Sequence, residues 1–238
     1  MTWVKICGMT NLEDALTAFE AGADAVGFVF YEKSPRNVSV EVAREIVGEL
    51  PGSVEKVGVF VPADGQHCAN IVGEVGLTGA QIYFSMEGGG DVIEPGATLF
   101  PERVRLLVAL PMSFVLKDEN RIQQAASSFA KSEKDMRMGV ARPEGEVITI
   151  VLDSGNLRVP GGTGKTFDWN KAVPIAEGMR RDGVKLVVAG GLTAENVGEA
   201  IRILQPWGVD VSSGVEARPG KKDPEKVRAF VRAVRAAG

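Results

Sequence analysis

The sequence predicts one α/β domain, a (β/α)8 TIM barrel running over residues 1–238, with an irregular fourth helix and an extended connection before strand six. Three observations carry that expectation. Eight short β-branched or apolar runs of strand length recur along the chain. Helix-like segments of 3.6 period separate most of them. Glycine stands just ahead of several runs, where a helix ends in a left-handed turn. Strand, helix, glycine, strand, repeated, describes parallel strands joined by crossover helices. An open doubly wound sheet shares that grammar, but eight units in a chain of this length suit a closed barrel better.

The runs lie at residues 4–7, 25–30, 56–61, 80–84, 106–110, 147–152, 185–189 and 209–212. Several are almost continuously apolar, as strands covered on both faces are. After the first run, Thr10 and Glu13 fit a capping box, and Leu12, Ala15, Leu16 and Phe19 form a helical stripe. Val42, Ile46 and Leu50 form the next. Residues 194–204 and 224–234 hold the last two helices, the final one opened by Asp223-Pro224, a capping carboxylate followed by proline at the first helical position. Gly22, Gly79, Gly183 and Gly208 each precede a strand. Residues 85–104 carry Glu87-Gly88-Gly89-Gly90 and two prolines, and read as a degenerate fourth helix. Residues 117–146 hold a helix-like piece, a charged stretch and Pro143-Glu144-Gly145, and read as a solvated excursion before the sixth run.

Composition narrows the function. Lys and Arg total 27 against 31 Asp and Glu, a net charge of −4. With no basic surplus, nucleic acid is not the expected partner, and a negative substrate must be held locally. No segment approaches the length of a membrane span, and the chain enters a strand pattern with no signal peptide ahead of it. Cys7 and Cys68 make no disulfide framework, so a reducing cytoplasm is expected. The sole histidine, His67, and the scattered cysteines give no metal-ligand spacing, so no metal is expected. No obligate protein partner is evident.

In such barrels the chemistry sits at the C-terminal ends of the strands. That rule selects Cys7, the loop to Arg36, Asp153, the 161–166 loop, Gly190-Gly191, and Ser212 to Glu216. Lys5 and Cys7 share a strand face. A thiol at a strand end, near an ammonium and ahead of a helix, ionises more easily than a free cysteine; the alternative is a small buried residue. Asp153 ends an apolar strand, where desolvation raises a carboxyl pKa and keeps it as an acid; the alternative is a turn cap. Cys7 as base and Asp153 as acid make a pair with split roles. Gly190, Gly191, Ser212, Ser213 and Gly214 lie where barrels of this kind hold phosphate. Arg36 can fork onto a carboxylate or phosphate, or stay a solubilising charge. Asp210 can take sugar hydroxyls, or pair with Lys5. The 161–166 loop looks like a P-loop but lacks its spacing; Gly161, Gly162 and Gly164 suit a mobile loop over the site instead.

These residues resemble a known family. Lys5-Ile6-Cys7-Gly8-Met9-Thr10, Gly22-Ala23-Asp24 with Gly27-Phe28, Ser34-Pro35-Arg36, residues 57–61, Leu152-Asp153-Ser154, Gly161-Gly162-Thr163-Gly164, Ala189-Gly190-Gly191-Leu192 and residues 210–216 are similar to phosphoribosylanthranilate isomerase. The resemblance implies a barrel enzyme of tryptophan biosynthesis. The implied reaction is the Amadori rearrangement of N-(5-phosphoribosyl)anthranilate to 1-(2-carboxyphenylamino)-1-deoxyribulose 5-phosphate, an aldose-ketose isomerisation without cofactor or metal. It makes Cys7 the general base and Asp153 the general acid, lays Arg36 against the anthranilate part and puts Asp210 near the ribose. The chain departs from the family on strand four, where Gln-Leu-His-Gly is usual and Gln81-Ile82-Tyr83-Phe84 stands here.

Two other classes compete. A different barrel enzyme on a related phosphosugar, an indole-forming synthase or the sister isomerase of histidine biosynthesis, should carry catalytic lysine and glutamate, or a carboxylate where Cys7 stands. A non-catalytic phosphosugar-binding protein should have lost Cys7 or Asp153, and both are kept.

Overall fold

The structure is a computed structural model that describes residues 1–61, 65–83, 100, 103–112, 149–155, 164 and 166–238. Within them eight parallel strands close into a barrel in chain order. They are β1 (Trp3–Cys7), β2 (Ala25–Phe30), β3 (Glu55–Phe60), β4 (Gly79–Tyr83), β5 (Arg105–Pro111), β6 (Thr149–Asp153), β7 (Lys185–Ala189) and β8 (Gly208–Val211). The last strand pairs with the first, placing Asp210 opposite Lys5. The helices are α1 (Leu12–Glu20), α2 (Val40–Glu49), α3 (Gly65–Val75), α4 (Trp169–Arg181), α5 (Val197–Leu204) and α6 (Pro224–Ala237).

Period-two alternation divides the apolar residues into two cores. One face of each strand (Val4 and Ile6, Val26 and Phe28, Ile150 and Leu152, Val209 and Val211) packs outward under the helices. The other face fills the barrel with Trp3, Cys7, Ala25, Val29, Val57, Tyr83, Leu107, Val151 and Val187. This is why the strands read as continuous apolar runs: both faces are covered. The lower mouth is plugged by Trp3 stacked on Trp207, with ring centroids 5.1 Å apart and Lys185 Nζ 4.5 Å from the Trp207 ring. Gly208 has no side chain because a Cβ there would meet Trp3 Cε3 at 2.8 Å.

Several expectations need correction. The cap of α1 sits one residue later than Thr10 and Glu13: Asn11 Oδ1 accepts from Asp14 N at 2.9 Å, while the Thr10 hydroxyl donates to Gly220 O at 2.6 Å. The buried side of α2 is Ala43 and Ile46, and Val42 is 39% exposed, because the helix starts at Val40 and turns that residue outward. Gly79 and Gly208 are strand residues; the left-handed helix ends fall on Gly76 and, unusually, Gln205. The helix expected from 194 begins at Val197. Asp223 caps α6 as expected, accepting from Glu225 N and Lys226 N. Phe84, the excursion at 117–146, and all of the degenerate helix at 85–104 except residues 100, 103 and 104 lie outside the described residues.

The sequence reading missed a hairpin. After β8, a short 3-10 turn (Ser213–Val215) leads into antiparallel β9 (Glu216–Arg218) and β10 (Lys221–Lys222), joined by Pro219-Gly220. It is bolted to α1 through Asp14, which is 2% exposed. Its carboxylate accepts from Lys222 N at 2.7 Å and from Lys221 Nζ at 2.6 Å. Asp14→Ala leaves the buried Lys222 N–H without its acceptor and removes one of the two carboxylates, with Glu13, that hold Lys221. We expect it to lower unfolding stability by about 3 kcal/mol, read from the urea midpoint; a change within about 0.5 kcal/mol removes this contact as the hairpin's anchor.

Candidate active site

The C-terminal ends of the strands surround one open cavity. Its lining includes Cys7, Arg36, Gln81, Tyr83, Asp153, Gly190, Gly191, Asp210, Ser212, Ser213 and Gly214. Every described residue expected to bind or react is therefore in one place. Of the loop residues expected to cover it, Gly161 and Gly162 lie outside the described residues, and Gly164 is exposed with φ of +69°.

Cys7 ends β1 facing the barrel axis, as its place two residues after Lys5 requires. Gly27 beside it is needed for space: a Cβ there would come within 2.7 Å of Cys7 Sγ and 3.0 Å of Lys5 Cε. Lys5 is fully buried. Its Nζ donates to Asp210 Oδ2 at 2.8 Å and to Gln81 Oε1 at 3.0 Å. Burial alone would lower its pKa, but the Asp210 carboxylate holds the ammonium charged, above the ordinary lysine range. The sequence predicts an easily ionised thiol, and here the structure corrects it. Burial pushes the Cys7 thiol above the ordinary cysteine pKa; the charges of Lys5 and Lys222 pull the other way without overcoming it.

Asp153 ends β6, across the mouth from Cys7. Burial raises its pKa, against two hydrogen bonds that favour the carboxylate: Tyr83 Oη donates to Oδ2 at 2.6 Å and Gly155 N to Oδ1 at 2.7 Å. The expected acid and the expected cap are the same side chain. Tyr83, the residue that departs from the family's usual pattern, thus bonds Asp153 directly. It sits two residues after Gln81 on the same face of β4. Burial, and then the charge of Asp153, push its phenol well above the usual tyrosine pKa, so it remains a neutral donor.

Arg36 is not a free surface charge. Its Nε and Nη2 donate to the two oxygens of Glu216 at 2.8 and 2.7 Å. Lys222 Nζ, with its side chain fully buried, adds a third bond to that carboxylate at 3.0 Å. Burial disfavours the Glu216 charge, but the hydrogen bonds from Arg36 and the charge of Lys222 win, and its pKa lies below the ordinary range. Sequence reasoning quoted Glu216 without giving it work and missed Lys222 altogether. Three cations (Lys5, Arg36, Lys222) are paired here with two carboxylates (Asp210, Glu216).

The expected phosphate loops meet beside β7 and β8. Gly190 and Gly191 have φ of +90° and +65°, and a Cβ on Gly190 would overlap Ser154. Asn196, also missed, clamps this turn: its Oδ1 accepts from Thr193 N at 2.8 Å and its Nδ2 donates to Gly191 O at 3.0 Å. Ser213 and Gly214 open the 3-10 turn, whose first N–H groups have no partner within it. Ser212 Oγ, Ser154 Oγ and Asp210 Oδ1 are buried and have no hydrogen-bond partner among the described residues. Buried polar atoms without partners are expensive, and a hydroxyl- and phosphate-bearing ligand would satisfy them.

Comparison with known proteins agrees with this chemistry. Residues 4–86 and 115–233 match the family described as N-(5'phosphoribosyl)anthranilate (PRA) isomerase. The N-(5'-phosphoribosyl)anthranilate isomerase of Rubrobacter xylanophilus is 42% identical over 235 residues, covering 99% of this chain and 100% of the relative. The crystal structure of phosphoribosyl anthranilate isomerase from Thermotoga maritima superposes with a TM-score of 0.77 at 39% identity, covering 99% of this chain and 100% of that one. A crystal structure of phosphoribosyl anthranilate isomerase in complex with reduced 1-(o-carboxyphenylamino)-1-deoxyribulose 5-phosphate superposes with a TM-score of 0.75 at 37% identity, again over 99% and 100% of the two chains.

The raised pKa of Asp153 fixes the sign of a pH effect. A carboxyl that prefers its proton in the fold is stabilising below its unfolded pKa, and loses that contribution as pH rises through the folded one. Asp153→Asn should therefore unfold at a higher temperature than the parent at neutral pH, with the gap closing in acid. Melting curves of both proteins from pH 3 to 8 test this; a neutral-pH midpoint below the parent's would show that the Tyr83 and Gly155 bonds outweigh the burial.

Proposed function

The chain belongs to the N-(5'-phosphoribosyl)anthranilate isomerase family, and on that premise we propose how its site divides the work. The enzyme converts N-(5-phosphoribosyl)anthranilate to 1-(2-carboxyphenylamino)-1-deoxyribulose 5-phosphate, an Amadori rearrangement in tryptophan biosynthesis. The observation that carries the assignment of roles is the placement of Cys7 and Asp153, both buried, on opposite sides of one cavity.

Asp153 gives its proton to the furanose ring oxygen. The bond from that oxygen to the anomeric carbon breaks, and the substrate's own nitrogen becomes a protonated imine. That imine is the electron sink. Cys7, as thiolate, removes the proton from the adjacent sugar carbon, and the electron pair moves into the enolamine, which tautomerises to the ketone. Hydrogen moves within one molecule, so the step calls for no external electron acceptor. The raised pKa of Asp153 keeps a proton available to the acid. The raised thiol pKa makes Cys7 a strong base once ionised, and Lys5 and Lys222 stabilise that thiolate.

Tyr83 supports the acid. As the proton leaves Asp153, its hydroxyl donates to the oxygen that gains charge, a bond that strengthens along the reaction coordinate. Asp210 Oδ1, free of Lys5, takes a ribose hydroxyl. Gly190, Gly191, Ser212, Ser213 and Gly214 take the phosphate, and Arg36 takes the anthranilate carboxylate. Cytoplasmic residence fits two cysteines, Cys7 and Cys68, that are not joined in a disulfide. Among the described residues no helix is long and apolar enough to cross a membrane.

The reading is tested with freshly made phosphoribosylanthranilate, whose fluorescence disappears on turnover. Cys7→Ala and Asp153→Asn should each lower kcat about 10²–10⁴-fold with KM little changed, and near-normal turnover in either removes that residue from the mechanism. Arg36→Ala should raise KM about tenfold or more; an unchanged KM would count against its carboxylate role.

A further inference from the structure

We infer that Glu216 and Lys222 are positioning residues that hold Arg36 with one edge of its guanidinium turned to the substrate's carboxylate, so that the β9–β10 hairpin, an appendage of the barrel, sets recognition of the aromatic half. The inference rests on the reading of Arg36 given above.

The geometry is specific. A guanidinium has two edges that can bind an oxygen pair: one made by Nε and Nη2, the other by the two terminal nitrogens. Glu216 occupies the first edge completely, at 2.8 and 2.7 Å. The edge bearing Nη1 is then directed away from Glu216, on a residue that lines the cavity. The stem of Arg36 lies across Gly8, directly after the catalytic cysteine: a Cβ on Gly8 would meet Arg36 Cδ at 2.7 Å. The guanidinium is thus fixed at both ends.

Lys222 completes the device. With Glu216 alone, Arg36 would be neutralised and have little attraction left for a second carboxylate. Lys222 Nζ binds the same Glu216 oxygen at 3.0 Å and restores one net positive charge to the trio. Lys222 is itself held by the Ser212 carbonyl at 3.2 Å, and its backbone N–H by Asp14 at 2.7 Å. Lys226 Nζ donates to the Glu216 carbonyl at 2.9 Å. Each contact lies in the segment after β8 or ties it to α1. A barrel without this hairpin would still have Cys7, Asp153 and the phosphate loops, but its arginine would be an ordinary mobile side chain.

The test separates the two halves of the substrate. Free anthranilate and inorganic phosphate are titrated as competitive inhibitors of the parent enzyme, Arg36→Met, Glu216→Gln and the double variant. Because Glu216→Gln leaves Lys222 buried beside a neutral partner, Glu216→Gln with Lys222→Met is measured as well, which removes both charges together. We expect Glu216→Gln and its charge-paired version each to weaken anthranilate about tenfold and to leave phosphate unchanged; Glu216→Gln should raise KM more than it lowers kcat, while the charge-paired version, which also removes a cation acting on Cys7, should lower kcat as well. The double variant with Arg36→Met should bind anthranilate no more weakly than Arg36→Met alone, since both changes remove one recognition element. If Arg36→Met weakens anthranilate while both Glu216 variants bind it normally, the positioning role is wrong and the Arg36 reading stands. If Arg36→Met leaves anthranilate affinity intact, the Arg36 reading falls and this inference with it. Equal losses for anthranilate and phosphate in the Glu216 variants would mark a general disturbance of the mouth, and would also overturn it.

Discussion

The fully buried lysine of the first strand is the constraint around which the rest is arranged. A charge in the interior of a closed barrel persists only with a partner, and Lys5 finds one on the strand that closes the barrel, Asp210, with Gln81 opposite. That arrangement links β1, β8 and β4 across the axis. Below it the barrel is filled by apolar side chains down to the Trp3–Trp207 stack; above it the interior becomes polar and opens. The boundary between the stabilising part of the barrel and its working part lies at this ion pair. It also accounts for half of Asp210: one oxygen is committed to Lys5 and the other has no hydrogen-bond partner among the described residues.

Cys7 sits just above that boundary, and its chemistry follows from two opposed effects. Enclosure makes the thiolate costly, and two buried ammonium groups, from Lys5 and Lys222, reduce that cost. Asp153 across the mouth is built in the same way: enclosure raises its pKa, and hydrogen bonds from Tyr83 and Gly155 favour its carboxylate form. Both groups have raised pKa values for one reason, exclusion of water, yet each is provided with partners for its charged form.

The second ionic cluster stands outside the barrel's repeating pattern. Arg36 comes from the loop after β2, while Glu216 and Lys222 come from the hairpin after β8, so residues 180 apart in sequence meet in one carboxylate. The hairpin reaches the mouth because Asp14 fastens it to α1 and Thr10 holds the carbonyl of its turn at Gly220. Two residues at the start of the first helix therefore fix the hairpin that carries the partners of Arg36.

The sequence by itself determined the barrel and the membership of its mouth. Apolar runs at regular intervals can be buried on two faces only inside a ring of helices, and strand ends then all point their last side chains at one cavity; Cys7, Asp153, Asp210, Gly190 and Ser212 follow from counting. Helix starts were legible where a single strong signal existed, as at Asp223-Pro224, and missed by a residue where two capping side chains stood side by side at Thr10 and Asn11. Only the tertiary structure decided what each polar group touches. Whether Arg36 is free or clamped depends on a glutamate near the other end of the chain. That Tyr83 bonds Asp153 is decided by a 2.6 Å contact between β4 and β6, and the sign of the Cys7 shift depends on how deeply the strand end is enclosed. Periodicity records which face a residue is on. The charges across that face come from other strands, and no local pattern records them.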